Sequence, residues 1–222
     1  MRSVGWTLVI AFLGLVESGC RDPGLDDGTP SIDGYRIEGT ILDGLDQPIP
    51  GIDIMVYYDT LYVSNSPVPT RPYTLTSTGE YVTIDVYNSE DNVVRNLYAG
   101  TPSGPTVYVP WDKRRGDGSL AGSGLYTIRY VSGGQIRHSY DIAIHGHVTA
   151  ETDSSGNFIV DNVNLPIDYF PAPFYSNSDT FLGNYRILDW VWLEFVVANQ
   201  LYSLPVQVKE DAITFVPTVR IN

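Results

Sequence analysis

From Tyr35 onward, apolar residues recur at every second position in short runs. Ile37, Gly39 and Ile41 alternate with Arg36, Glu38 and Thr40, and Ile52, Ile54 and Val56 follow after the punctuation Asp43-Gly44-Leu45-Asp46-Gln47-Pro48. Val82, Ile84 and Val86 alternate with Thr83 and Asp85 across Tyr81–Tyr87. A period of two puts successive side chains on opposite faces of an extended chain, so each run predicts a strand with one buried face. The turn 88–92 (NSEDN) then returns the chain along Val93–Leu97 as a hairpin partner. Further strands are predicted at Thr106–Val109, Leu125–Val131 (Tyr126, Ile128 and Tyr130 on one face), Ser139–Ile144, Phe158–Val160, Val206–Val208 and Ile213–Ile221.

The longest apolar stretch is 185–197, YRILDWVWLEFVV. Its β-branched and aromatic content favours a strand. Trp190 and Trp192 then share one face, and Ile187, Asp189, Val191, Leu193 and Phe195 share the other. The breaks are equally informative. Ser64–Pro72 (SNSPVPTRP) is punctuated by prolines, which remove ladder donors, so it reads as a loop. Trp111–Gly124 reads as a long glycine- and charge-rich turn, 152–158 as a turn into a strand, and 162–173 as a proline-broken loop. Many short strands without an amphipathic helix predict an all-β protein of sandwich or barrel type.

The first residues carry a different pattern. Arg2 precedes an apolar run, Val4–Val16, which is followed by Glu17-Ser18-Gly19-Cys20. This is the layout of a secretory signal peptide, residues 1–20, and the run is too short to span a membrane. Cys20 is the only cysteine in the chain. Its position behind Ser18-Gly19 resembles a bacterial lipobox, although Glu17 stands where that family usually has leucine. The resemblance implies that Cys20 is acylated and becomes the new N-terminus. Residues 21–33 (RDPGLDDGTPSID) are polar, without period, and read as a flexible tether.

Two further resemblances concern the folded part. Tyr81–Gly134 contains VTIDVYNSEDNVVRNLYAG and VPWDKRRGDGSLAGSGLYTIRYVSGG. With Trp111, Asp112, Gly118, Ser123, Gly124, Tyr126 and Arg129 in order, it resembles the immunoglobulin-like domain of the flagellar hook-capping protein. That resemblance implies a core role for Trp111 and Tyr126. Tyr35–Tyr58, with Gly39, Asp43 and the turn 47–51 (QPIPG), resembles the start of a carboxypeptidase regulatory-like domain, a small transthyretin-like sandwich. His147–Pro166 (HVTAETDSSGNFIVDNVNLP) resembles that domain's second half. The expected arrangement is therefore two small β-sandwiches, the immunoglobulin-like one (73–146) inserted into the other (34–72 and 147–222).

Charge narrows the function. The chain has 13 Lys+Arg against 26 Asp+Glu, a formal net charge of −13. Nucleic acid, whose phosphates require basic patches, is not an expected partner. The same charge repels anionic lipid, so membrane attachment is expected through the N-terminal lipid alone. The lone cysteine leaves stability to cores and backbone pairing.

Motifs for phosphate-binding loops, zincin helices and nucleophile elbows are not present in the sequence. No cofactor and no metal is expected. His145 and His147, at strand spacing two, would face one way as ligands do, but with His138 they read as a strand end or domain junction. Asp153, Asn157 and Asp161 lack the order of a calcium loop and read as a turn. The aromatic segment 168–185 (DYFPAPFYSNSDTFLGNY) offers Tyr169, Phe170, Phe174, Tyr175, Phe181 and Tyr185 as a binding surface for sugars or a protein. The expected function is thus a non-enzymatic, lipid-anchored envelope module for binding, adhesion or assembly. Its partner would be an envelope protein or a glycan, and Arg21 after Cys20 points to the outer membrane.

Overall fold

The computed structural model describes residues 32–65 and 70–221. The signal segment, Cys20, most of the tether and residues 66–69 of the proline loop lie outside the described residues. The described part is all-β, with a single 3-10 turn at Asn162–Asn164. In chain order the first strands are β1 (Tyr35–Asp43), β2 (Asp53–Ser64), β3 (Tyr73–Thr74), β4 (Val82–Asn88) and β5 (Val93–Gly100). The next are β6 (Thr106–Val107), β7 (Gly124–Ser132), β8 (Gln135–Ile144), β9 (His147–Glu151) and β10 (Asn157–Val160). The last are β11 (Ala172–Tyr175), β12 (Phe181–Val197), β13 (Gln200–Gln207), β14 (Ala212–Phe215) and β15 (Val219–Ile221).

A small sheet has the order β10-β1-β14, with β15 also on β1. β1 pairs antiparallel with β10 and parallel with β14 and β15. A large mixed sheet runs β5-β4-β7-β8-β11-β12-β2-β9, with β13 paired to β12. β3 and β6 form a separate short ladder.

Alternation explains which faces close on each other. Ile37 and Ile41 of β1 are fully buried, and between them Gly39 has no side chain to contribute. Phe158, its partner on β10, fills that space: a Cβ on Gly39 would stand 2.4 Å from Phe158 Cζ. Ile54, Val56, Leu193 and Phe195 complete one core with these residues. A second core gathers Val82, Ile84 and Val86 of β4 with Trp111, Tyr126, Ile128 and Tyr130. Truncating a fully buried aromatic such as Phe195 costs about 3–5 kcal/mol.

β12 departs from simple alternation at one place. Ile187 pairs with Thr60 and Val191 with Tyr58, so the strand bulges between them. Alternation puts Asp189 on one face with Ile187 and Val191, which are buried, but the bulge holds it half-exposed. There its carbonyl accepts from Val208 N–H at 2.8 Å and its Oδ2 from Gln207 Nε2 at 2.8 Å. A bulge re-aims side chains in this way. Trp192, on the outer face, is 44% exposed.

The two cores share the large sheet. β11 pairs with β12 on one side and meets β8 at Phe174 and Ala143 on the other. Phe174 enters the first core and its neighbour Tyr175 the second, with a register shift between them. A second junction is Ser123, fully buried just before β7. Its hydroxyl donates to the Val56 carbonyl at 2.7 Å and accepts from His147 N–H at 3.1 Å.

Candidate functional site

The candidate site forms where the loop after β6 meets the turn between β11 and β12. Trp111 anchors the loop. Its indole N–H donates to the Arg114 carbonyl at 2.7 Å, and its ring meets Tyr126 edge-on with centroids 4.9 Å apart. Asp112 fixes the next step: its Oδ1 accepts from Arg114 N–H at 3.0 Å and from Arg95 NH1 at 2.7 Å. Lys113 then adopts a left-handed backbone (φ 60°), which non-glycine residues rarely do outside special sites. Its ammonium reaches the Tyr175 carbonyl at 3.4 Å and Asn177 Oδ1 at 3.3 Å. Burial lowers the Lys113 pKa, and the nearby Asp179 charge partly opposes it.

The facing turn is Ser176–Thr180. Ser176 Oγ accepts from Thr180 N–H at 3.0 Å, and Asp179 takes the left-handed position (φ 63°). The Asp179 carboxylate accepts from both Arg71 and Tyr108. Arg71 also donates to the Asp179 carbonyl at 2.9 Å, and its guanidinium lies 4.5 Å from the Tyr175 ring centroid. Burial and the hydrogen bond to Asp179 both push the Tyr108 pKa up. Between loop and turn lies a pocket of about 260 Å³, with Trp111, Ile142 and Tyr175 as apolar walls and Lys113, His147 and Asn177 as polar groups. A second, more open cleft of about 490 Å³ lies against β5, lined by Arg95, Asn96, Arg114, Arg115, Gly116 and Gly118. Asp112 lines both.

The aromatic residues singled out in the sequence do not form one surface. Phe174 and Tyr175 are buried, one in each core, because β11 has a neighbouring strand on both sides. Phe181 packs on the second core and Tyr185 on the first. Tyr169 donates to Asp141 Oδ2 at 2.6 Å, and Phe170 is 55% exposed. Tyr175 alone of the six lines the pocket.

His145 and His147 do not share a strand face, contrary to their spacing. Gly146 between them turns the chain with φ 74° from the end of β8 into β9. His147 Nδ1 lies 2.7 Å from the Ala121 carbonyl, so that nitrogen carries the donated proton. His145 stands beside Tyr57 and Phe174, with centroids 5.8 and 5.1 Å away. Although the residue stays exposed, partial desolvation against these rings lowers its pKa, and Lys113 and His147 add to the effect. His138 packs in β8 against Tyr73 and Tyr130. Asp153, Asn157 and Asp161 each have an oxygen engaged: Asp153 Oδ1 by the 155 and 157 amides, Asn157 Oδ1 by Thr40, and Asp161 by Arg36. Among the described residues, no group of three His, Cys, Asp or Glu stands close enough to hold a metal.

Sequence reading missed the Arg71–Tyr108–Asp179 cluster and the arginine cleft. The Lys113-Arg114-Arg115 run, set in an acidic chain, was the available signal for the cleft. Compared with known proteins, the chain gives no significant match to a family model, a curated protein or a solved structure.

Proposed function

We propose that this chain is a non-catalytic, lipid-anchored protein of the bacterial cell envelope, facing the periplasm or surface from the outer membrane, that serves as a binding or assembly module. One observation carries the reading: the only cysteine, Cys20, directly follows Ser18-Gly19 behind the apolar run Val4–Val16. In this reading, residues 73–146 form an immunoglobulin-like module set into a transthyretin-like sandwich built from 34–72 and 147–222. The sharing of one core by Ile54 and Phe158, on either side of that segment, supports it. Binding is assigned to the junction of the 111–120 loop and the 176–180 turn. Asp179 is held there by Arg71 and Tyr108, and Lys113 by the Tyr175 carbonyl and Asn177, which suits a pre-shaped recognition surface.

Mass spectrometry of membrane-purified protein tests the anchor. The expected result is an acylated N-terminal Cys20, and release of the protein from the membrane by Cys20→Ser. An unmodified or upstream N-terminus would refute anchoring. Cross-linking in intact envelopes tests the module: cross-links should concentrate on the 111–120 loop and the 176–180 turn.

A further inference from the structure

We infer that the cleft against β5 is an anion site for an acidic glycan, with its guanidinium groups taking the carboxylates of a uronate-bearing chain. This rests on the binding-module reading above and names a ligand class for the cleft beside that junction. Three arginines and one aspartate line the cleft, in a chain whose net charge is −13. At physiological ionic strength the Debye length is about 8 Å. Distant acidic residues are therefore screened, and the charges at the cleft decide what enters: three arginines against Asp112, with Asp85 and Asp117 beside them.

The guanidinium groups are positioned and still have donors to offer. Arg95 NH1 engages Asp112 at 2.7 Å and the Arg114 carbonyl at 3.4 Å. Arg114 NH1 engages the Gly118 carbonyl at 2.7 Å. Each guanidinium carries five N–H donors, so most of each fork stays free. The Arg115 guanidinium donates to none of the described residues. Its charge, after the Ser119 hydrogen bonds, helps lower the Asp117 pKa. Arginine forks match carboxylate and phosphate oxygens in a bidentate way.

The remaining lining argues for a sugar over a peptide. The cleft has no apolar side chain: besides the arginines it presents Asn96, Asp112 and two glycines. Asn96 donates through Nδ2 to Asp85 at 2.7 Å, so its Oδ1 is left as an acceptor. Asp112 receives its bonds at Oδ1, which leaves Oδ2. Acceptors beside anion-binding forks suit a ligand that carries hydroxyls next to its carboxylates.

The test uses the full chain in detergent and polygalacturonate as probe, with neutral dextran, poly-L-glutamate and polyphosphate as comparators, read by calorimetry. Binding to polygalacturonate and not to dextran is expected. The Arg114→Gln/Arg115→Gln double variant should weaken it about tenfold or more, the loss of at least one charge-assisted hydrogen bond. Both side chains are exposed, so the urea midpoint should not move. Arg186→Gln/Arg220→Gln removes the same charge elsewhere on the exposed surface and should leave affinity unchanged. Equal weakening by that control, equal affinity for poly-L-glutamate, tighter binding of polyphosphate, or no binding would each overturn the inference. A protein that is acylated at Cys20 and cross-links through the 111–120 loop, yet ignores polygalacturonate, refutes only the glycan. Glycan binding by an unacylated chain refutes only the anchor.

Discussion

Gly39→Ala is the sharpest probe of how this chain closes on itself. The new Cβ would stand 2.4 Å from Phe158 Cζ and 2.6 Å from Cε1, where ordinary carbon contacts are about 3.5–4.0 Å. The ring must move by about 1 Å, and Phe158 is buried in a core with Ile37 and Ile41 around it. Overpacking of this kind costs about 1–3 kcal/mol. Gly39 has no positive φ, so alanine also stiffens the unfolded chain, a gain of about 0.4–1 kcal/mol. The net expectation is a loss of about 1–2 kcal/mol. Phe158→Ala alone should cost about 3–5 kcal/mol. In that background the added methyl meets no ring, so Gly39→Ala should become neutral or slightly stabilising. The coupling in the double-mutant cycle is thus about 1–3 kcal/mol, read from urea unfolding of the four proteins by tryptophan fluorescence. Residues 39 and 158 flank the whole 73–146 segment. Two sandwiches formed in sequence order would put them in different units, and the cycle would close to zero. Additive effects, or a stabilising Gly39→Ala in the unmodified chain, would refute the shared core.

Other expectations follow from single contacts. Glu80, held by Ser132, Thr76 and Tyr73 against its burial, has its pKa lowered to about 2 from 4.5. Because the folded value is the lower one, its ionised form stabilises the fold above about pH 4.5, and that contribution is lost as pH falls toward about 2; Glu80→Gln should flatten urea stability across this window, and an unchanged slope would refute the assignment. Ser123→Ala leaves the half-buried His147 amide without its acceptor and should cost about 1–3 kcal/mol in chemical denaturation; a loss below about 0.5 kcal/mol would mean the junction is not tight. Phe174→Ala should cost about 3–5 kcal/mol and loosen both cores, with hydrogen exchange rising in β4 and β7 as well as in β2 and β12; a rise confined to β2 and β12 would show that β11 does not couple them.

Much of this fold was legible because its turns repeat a chemical pattern. Residues 43–47 (DGLDQ), 88–92 (NSEDN) and 153–157 (DSSGN) each open with a side-chain oxygen that accepts amides two and four residues on. Each places its fourth residue in left-handed backbone, at φ 58°, 60° and 73°. All three are tight loops of the same Asx type, and Asx and glycine at those positions announce them; 88–92 joins the paired strands β4 and β5, whereas 43–47 and 153–157 carry the chain between the two sheets. The fourth example, 176–180 (SNSDT), has Asp179 at φ 63° but opens with serine and sits among prolines and aromatics. It passed as part of a loop. β11 was hidden for a related reason: all four of its residues, Ala-Pro-Phe-Tyr, are buried, so no alternation marks it. Its proline argued against a strand. Likewise, the parallel pairing of β14 and β15 with β1 leaves no local trace, because register there is set by distant packing. Of the arginine cleft the sequence shows only the Lys113-Arg114-Arg115 run, because only tertiary structure puts Arg95 of β5 beside Arg114.

What β11 does for the fold bears directly on the candidate site. Phe174 and Tyr175 are adjacent yet plug different cores, so the short strand that carries them stitches the large sheet together. The turn that follows immediately, 176–180, supplies Asn177 and Asp179 to the pocket. Asp179 closes that turn with its left-handed backbone while its carboxylate grips Arg71 and Tyr108. Across the pocket, Lys113 is fixed by the Ala121 amide donating to its carbonyl at 2.9 Å, next to Ser123, the second junction between the cores. Both walls of the site are therefore built on the two points where the cores are joined. A ligand held there would not have to order a loose loop, and that ordering is one of the costs that weaken binding. The same geometry would make binding sensitive to any change that lets the cores shift against each other, including changes at Phe174 or Ser123 that touch no ligand.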